Sequence, residues 1–330
     1  MKVGLDSYSL HPLERDEVGR LAYCRDHGFA GLQAGNLRRT SPGLDPGPLK
    51  AFRDAADAMG LYTEVSVGPI NPHGAGRRPD EIVEGLPAQI ESAAACGWNE
   101  LHAALGGPRE RYELATPWPR QLADCTDILR RVAPVLRHHG CRINLETHGD
   151  TTTWELVRLC EAVGPDCIGI CLDTANVLLF GEHPTDAARR AAPYTHMTHA
   201  KDAILYFTDE GLTRQGRPPG RGCVDWNAIL PILAAHAPDL TLSIEDHKMV
   251  FTAPIFDADW LAQQPDLTRD ELARTVALAW SVHRRIIAGE IPDPDQYERI
   301  PFADEMDERL AFGRDYLNGL IRDLAPNTQG

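Results

Sequence analysis

The chain has 330 residues, 43% of them hydrophobic and 25% charged, enough apolar material for a large globular core. Forty-eight acidic residues against 33 Lys and Arg give a formal charge of −15, which excludes the basic surface expected of a nucleic-acid partner or of a polybasic membrane contact. No run approaches the roughly 20 apolar residues of a membrane span, and MKVGLDSYSL lacks a signal-peptide pattern, so a cytoplasmic protein is expected. The eight cysteines are scattered without a CxxC pair, as in reduced proteins.

Strands are predicted at 3–7, 31–34, 62–67, 100–104, 143–150, 168–173, 195–200 and 240–246. Helices are predicted between them at about 15–27, 48–59, 81–96, 122–138, 153–162 and 184–191. Gly28, Gly60, Gly97 and Gly140 stop four of them. The segment KDAILYFTDEGLTRQGRPPGRGC after the seventh strand reads as a long loop, leading to a helix that Asp225 caps.

Eight strands alternating with helices imply a parallel sheet, and the count implies an α/β (β/α)8 TIM barrel over 1–250. An open doubly wound sheet is disfavoured because no GxGxxG follows the first strand. Residues 251–330 read as a C-terminal helical extension that packs on the barrel or builds an interface. Its helices are expected at about 268–288, opened by a Thr268/Glu271 capping box, and at 302–324.

In such a barrel, chemistry belongs at the C-terminal strand ends. INLETHGD, residues 143–150, places Asn144, Glu146 and His148 on one face of a strand. A carboxylate and an imidazole on a buried face are costly unless paired or metal-bound. The next three strands repeat the pattern with Asp173, His199 and Glu245. Three carboxylates and one imidazole suit Mn2+, with Mg2+, Co2+ or Zn2+ as alternatives; a buried salt-bridge network is the competing reading. Lys201 follows His199, and His247 follows Glu245, each on the same face. His102 on the fourth strand is a candidate to point inward and touch substrate. Tyr8 and His11 are placed to wall the pocket. Arg214, Arg217 and Arg221 lie in the expected loop, where Arg221, flanked by glycines, is the candidate for an anion and Arg214 reads as a solvated surface residue.

The motifs NLETH, CLDTAN, THAKD and SIED resemble the xylose-isomerase-like sugar isomerase/epimerase superfamily over roughly residues 1–250. The resemblance implies a barrel that holds a divalent metal through Glu146, Asp173, His199 and Glu245. It also implies that Glu146 and Glu245 move protons at substrate carbons. Two departures stand out. Ketose 3-epimerases of this superfamily carry a histidine where this chain has Asn176, and their arginine soon after the strand-seven histidine has no unambiguous match.

The chemistry this implies is proton removal beside a polarised carbonyl of a sugar or oxo-sugar, giving an enediolate. Isomerisation or epimerisation follows if the proton returns. Lyase outcomes share the intermediate: an oxo-sugar-acid decarboxylase, a dehydratase, or a C-glycoside-cleaving subunit. His148 is the candidate general base, with Lys201, His247, His102 and Arg221 as substrate contacts. A metal-dependent endonuclease is a remote alternative that the net charge opposes, and retention of all four ligands opposes a non-catalytic subunit. The expected partner is a small carbohydrate, in a homo-oligomer, with a second subunit needed only for C-glycoside cleavage.

Overall fold

The computed structural model describes residues 1–324. Its strands are β1 (Lys2–Asp6), β2 (Gly31–Asn36), β3 (Tyr62–Ser66), β4 (Glu100–Ala103), β5 (Arg142–Glu146), β6 (Ile168–Asp173), β7 (Thr195–Ala200), β8 (Asp202–Thr208), β9 (Gly211–Arg217), β10 (Thr241–Ile244) and β11 (Val250–Ala253). Eight of them close into a parallel barrel in the order β1-β10-β7-β6-β5-β4-β3-β2. All six residues of β6, IGICLD, are buried, as a strand covered on both faces requires. Helices fill the outer layer. Those ending at Met59 and His139 are stopped by Gly60 and Gly140 in the left-handed conformation, φ 71° and 61°, which a Cβ would disfavour. Thr152 caps the helix Thr153–Val163 by accepting from Glu155 N while Glu155 accepts from Thr152 N, so the chain turns sharply just past β5. All eight cysteines are free thiols, and no helix among the described residues is long and apolar enough to cross a membrane.

The segment after β7 corrects the expected loop. It is an antiparallel hairpin, β8–β9, extended by β11 into a second sheet of order β11-β9-β8. All seven residues of β9 are buried because the strand is covered on both faces. On one side a Cβ on Gly216 would lie 2.1 Å from the His247 carbonyl oxygen. On the other, Gln215 donates to Pro294 O and Glu298 Oε2, both at 2.8 Å. Asp202 anchors the return of the chain, accepting from the backbone N–H groups of Ala203, Gly220, Gly222 and Val224 and from Trp226 Nε1.

The residues after 250 are woven into this arrangement. The helix Arg269–Ile287 packs on β8, and Phe302–Leu324 packs on β1, β10 and the helix Trp226–His236. Thr268 Oγ1 accepts from Glu271 N at 3.1 Å, but the Glu271 carboxylate does not close the expected capping box. It accepts instead from Arg190 Nη2 at 2.7 Å and from His183 N at 3.2 Å. The last helix reaches the site's edge through Arg309, whose Nε and Nη2 hold the buried Asp246 carboxylate at 2.8 and 2.6 Å.

Candidate metal centre

Strand β5 stops at Glu146, four residues short of the predicted end. Alternation still places Asn144 and Glu146 on one face, in two different layers. Asn144 is fully buried and donates to Glu100 Oε2 at 2.8 Å. Glu146 tops the strand, where it meets the ends of β6, β7 and β10. Asp173 is the register partner of His199 across β6 and β7, and His199 that of Ser243 across β7 and β10, so Glu245 follows just beyond.

One atom from each of Glu146, Asp173, His199 and Glu245 lies within 4.8 Å of the others. These atoms are Glu146 Oε1, Asp173 Oδ2, His199 Nδ1 and Glu245 Oε2, all buried; His199 Nδ1 lies 3.1 Å from Glu146 Oε1 and 2.9 Å from Glu245 Oε2 without a well-directed hydrogen bond. Carboxylates crowded together in a buried site are costly unless cations offset them. Three carboxylate oxygens and one imidazole nitrogen converging in this way fit a divalent cation.

The second atoms of Glu146, Asp173 and His199 are held by the protein, which aims the other atom of each inward. Glu146 Oε2 contacts His102 Nε2 at 3.0 Å, whose Nδ1 in turn contacts Ser66 Oγ at 2.9 Å. Asp173 Oδ1 accepts from Ala175 N and Asn176 N at 2.9 and 2.8 Å, leaving Oδ2 to the cluster. His199 Nε2 lies 2.8 Å from Gln33 Nε2, and Gln33 Oε1 has no partner. A ligating Nδ1 would leave the proton on Nε2, and the Gln33 amide would then turn to present its oxygen as the acceptor. Gln33 was missed in the sequence because it sits mid-strand on β2 among residues that read as barrel core. Only its inward parity hints at a role.

Lys201 Nζ lies 3.0 Å from Asp173 Oδ2 and 2.9 Å from Glu245 Oε2. Burial works against the charge of Glu146, but the His199 and His148 imidazoles override it and hold the carboxyl well below the ordinary carboxylate range. Glu245 is likewise opposed by burial and brought well below that range by Lys201 and His199.

Above the cluster is a cavity of about 300 Å³, walled by Tyr8, His148, Asn176, Lys201, Arg214 and His247 together with Glu245. His148 contacts Gly106 O through Nδ1 at 2.6 Å. A carbonyl only accepts, so Nδ1 carries the proton, and the neutral ring keeps a lone pair on Nε2. Burial lowers the basicity of His148, but Glu146, Asp150 and Glu245 outweigh it and the pKa is raised. Burial and Lys201 push the His247 pKa down. Its Nε2 stands 3.5 Å from Glu245 Oε1.

The predicted site residues therefore divide. Glu146, Asp173, His199 and Glu245 converge, and His148, His247 and Lys201 border the same space. His102 points inward but holds Glu146 and does not wall the cavity. Tyr8 does wall it, while His11 stacks against Tyr8 and Phe302. Arg221 is not in the site. It lies at the surface over the Phe312 ring, 3.7 Å from Glu308, because the chain has already left the hairpin there. The arginine in the cavity wall is Arg214, 1% exposed, which the sequence reading had left in solvent.

The sequence profile described as the xylose isomerase-like TIM barrel matches residues 21–276. The chain belongs to that family. Two curated relatives match over parts of their length. The uncharacterised protein YihM of Escherichia coli is 26% identical over 149 residues, 42% of this chain and 46% of that protein. The 3-oxo-isoapionate decarboxylase of Pectobacterium atrosepticum is 27% identical over 124 residues, 37% of this chain and 44% of that enzyme. The chain thus spans about half the length of the curated relatives it matches. Among solved structures, a D-psicose 3-epimerase of Clostridium cellulolyticum H10, crystallised with D-tagatose, superposes with a TM-score of 0.65 at 16% identity, over 97% of this chain and 99% of that one. At that identity the likeness establishes the family's fold, in which the centre described above sits at the strand ends.

Proposed function

We propose that the chain is a divalent-metal-dependent enzyme that moves a proton at the carbon beside a carbonyl of a sugar or oxo-sugar. The observation that carries this is the convergence of three buried carboxylate oxygens and one imidazole nitrogen at the floor of a sugar-sized cavity. When bound there, a divalent ion, with Mn2+ best suited to the donor set, supplies polarisation of the substrate carbonyl.

The chain's own residues are assigned as follows. Glu146 and Glu245 flank the centre. His102 fixes the second oxygen of Glu146, whereas the second oxygen of Glu245 has only the 3.5 Å approach of His247. Glu245 is thus the freer carboxylate to take the proton from carbon. His148, with Nε2 turned from its carbonyl anchor, is the group to return or relay a proton on the other side.

A second reading has its own support. Asn176 stands where ketose 3-epimerases of the superfamily carry a histidine, and one partial relative is named as a decarboxylase of a 3-oxo sugar acid. Loss of CO2 from a β-oxo acid would pass through the same kind of enediolate, making the chain a lyase. Incubation of the Mn2+-loaded protein in D2O with ketohexoses, 3-oxo-sugars and 3-oxo-sugar acids separates the outcomes. Deuterium entering beside the carbonyl without loss of CO2 supports the first reading, and CO2 release, which leaves deuterium on the carbon that lost it, selects the second. In either case Glu146→Gln is expected to be slower by about three orders of magnitude, with an unchanged melting temperature of the metal-free protein. Absence of both exchange and CO2 release across the panel would overturn the proposal.

A further inference from the structure

Arg214 is the charged side chain in the cavity wall that the proton-transfer chemistry leaves unused. It is 1% exposed, and its Nε and Nη1 have no hydrogen-bond partner. No carboxylate among the described residues lies within 4.0 Å of its guanidinium. A buried guanidinium without a counter-ion is costly, because both its charge and its donors are then unsatisfied. Protein interiors seldom keep one unless a ligand completes it.

Its placement is also built. Residue 214 is on β9, in register with Phe251 on β11 and Leu205 on β8. The guanidinium sits 5.1 Å from the centroid of the Phe251 ring, which limits its freedom. Along β9, parity puts Leu212, Arg214 and Gly216 on the side facing the barrel mouth, and Thr213, Gln215 and Arg217 on the other. Gln215 confirms the outer face by bonding Pro294 and Glu298, and Arg217 by lying 3.3 Å from the Tyr297 ring centroid. Arg214 is thus carried into the cavity by a strand buried along its whole length.

The charge balance of the wall points the same way. Its fixed cations are Lys201 and Arg214, and its one carboxylate is Glu245, a candidate metal ligand. Lys201 is engaged by Asp173 and Glu245 at 3.0 and 2.9 Å. Arg214 has no ion-pair or hydrogen-bond partner for its side chain among the described residues. Its two terminal nitrogens, Nη1 and Nη2, share the edge that matches the two oxygens of a carboxylate. A phosphate, with a larger charge and three acceptor oxygens, would call for further donors, such as a glycine-rich backbone cradle, which the sequence lacks.

We propose that Arg214 forms a carboxylate subsite in the cavity wall, so that the substrate of this centre is a sugar acid rather than a neutral sugar. The substrate class rests on the proton-transfer reading above; the anion subsite does not.

The test uses full-length protein stripped with EDTA, so that no metal can hold the anion. D-gluconate and D-glucitol share one carbon chain and differ in a carboxylate against a hydroxymethyl group; D-glucitol 6-phosphate is the third probe. Calorimetric titration is expected to show gluconate binding at least about tenfold more tightly than glucitol and no more weakly than the phosphate, as a charge-assisted pair requires. Arg214→Gln is expected to abolish the preference, and Arg214→Lys to keep part of it. Equal affinities for gluconate and glucitol, or no gluconate binding, would overturn the subsite. A preference that survives Arg214→Gln would also overturn it, by assigning the anion to Lys201. Tighter binding of the phosphate would overturn the carboxylate assignment. Mn2+ titration of the same proteins separates the two proposals. Arg214→Gln should bind Mn2+ within a few-fold of wild type, showing that it is folded, whereas wild type that binds no Mn2+ would remove the metal reading and leave the gluconate result standing.

Discussion

At the scale of single residues, the site depends on side chains whose spare atoms are tied down. Gln33 is the sharpest case, because its amide is the partner of the His199 nitrogen turned away from the cluster. Gln33→Leu removes that partner without adding charge. Metal affinity is expected to fall 10- to 100-fold, read by competition with a chelator, with little change in melting temperature. Unchanged affinity would show that His199 is oriented by packing alone. Asp150 gives a prediction in pH. It is fully buried, and neither carboxylate oxygen has a partner. Burial pushes its pKa from 3.8 up to about 7, with His148 and Arg111 opposing and Glu146 reinforcing. Between those two values the folded state keeps a proton that the unfolded chain has released. Its contribution is therefore most favourable at low pH and is lost as pH rises through that window, by about 1.4 kcal/mol per unit. Asp150→Asn should remove this slope. Denaturation curves at pH 5 and pH 7 are expected to differ less in the variant than in wild type, and equal differences would mean that Asp150 ionises normally.

At the scale of elements, the second sheet and the last helix are what shape the site above the barrel. The hairpin β8–β9 brings Arg214 over the strand ends, and the helix Phe302–Leu324 clamps the residue next to Glu245. The clamp is the Arg309–Asp246 pair, both members nearly inaccessible. Replacing Arg309 by Met keeps the aliphatic bulk and leaves Asp246 as an unpaired buried carboxylate. Such a loss costs about 3–5 kcal/mol, measurable by urea denaturation. A change under about 1 kcal/mol would show that the last helix is held by its apolar face alone.

At the scale of the molecule, the barrel and the four strand-end side chains proposed to hold a metal were legible in the sequence for one physical reason. Parallel strands buried on both faces are short apolar runs, and any carboxylate or imidazole at their ends stands out against them. Glu146, Asp173, His199 and Glu245 were visible for that reason. The residues that hold them were not. Gln33 and Ser66 are ordinary polar residues whose role appears only once β2, β3 and β7 share an interior. The hairpin was misread because the glycines and prolines of 216–222 resemble a loop. A signal was nevertheless present: seven residues rich in aromatic and aliphatic side chains, DAILYFT, then Asp209-Glu210 as a two-residue turn before Gly211. Missing that turn put Arg214 in solvent and Arg221 in the site, the reverse of their places. The end of β5 was overrun because alternation continues through His148 although the ladder does not.

The central claim is that four strand ends hold one divalent ion. Metal analysis of protein purified without chelator, followed by Mn2+ titration of the stripped protein, tests it most directly. The account predicts one ion per chain in wild type, a rise in melting temperature on Mn2+ addition, and loss of both in the double variant Glu146→Gln, Asp173→Asn. Wild type that binds no divalent ion, or a double variant that binds as wild type does, would contradict it.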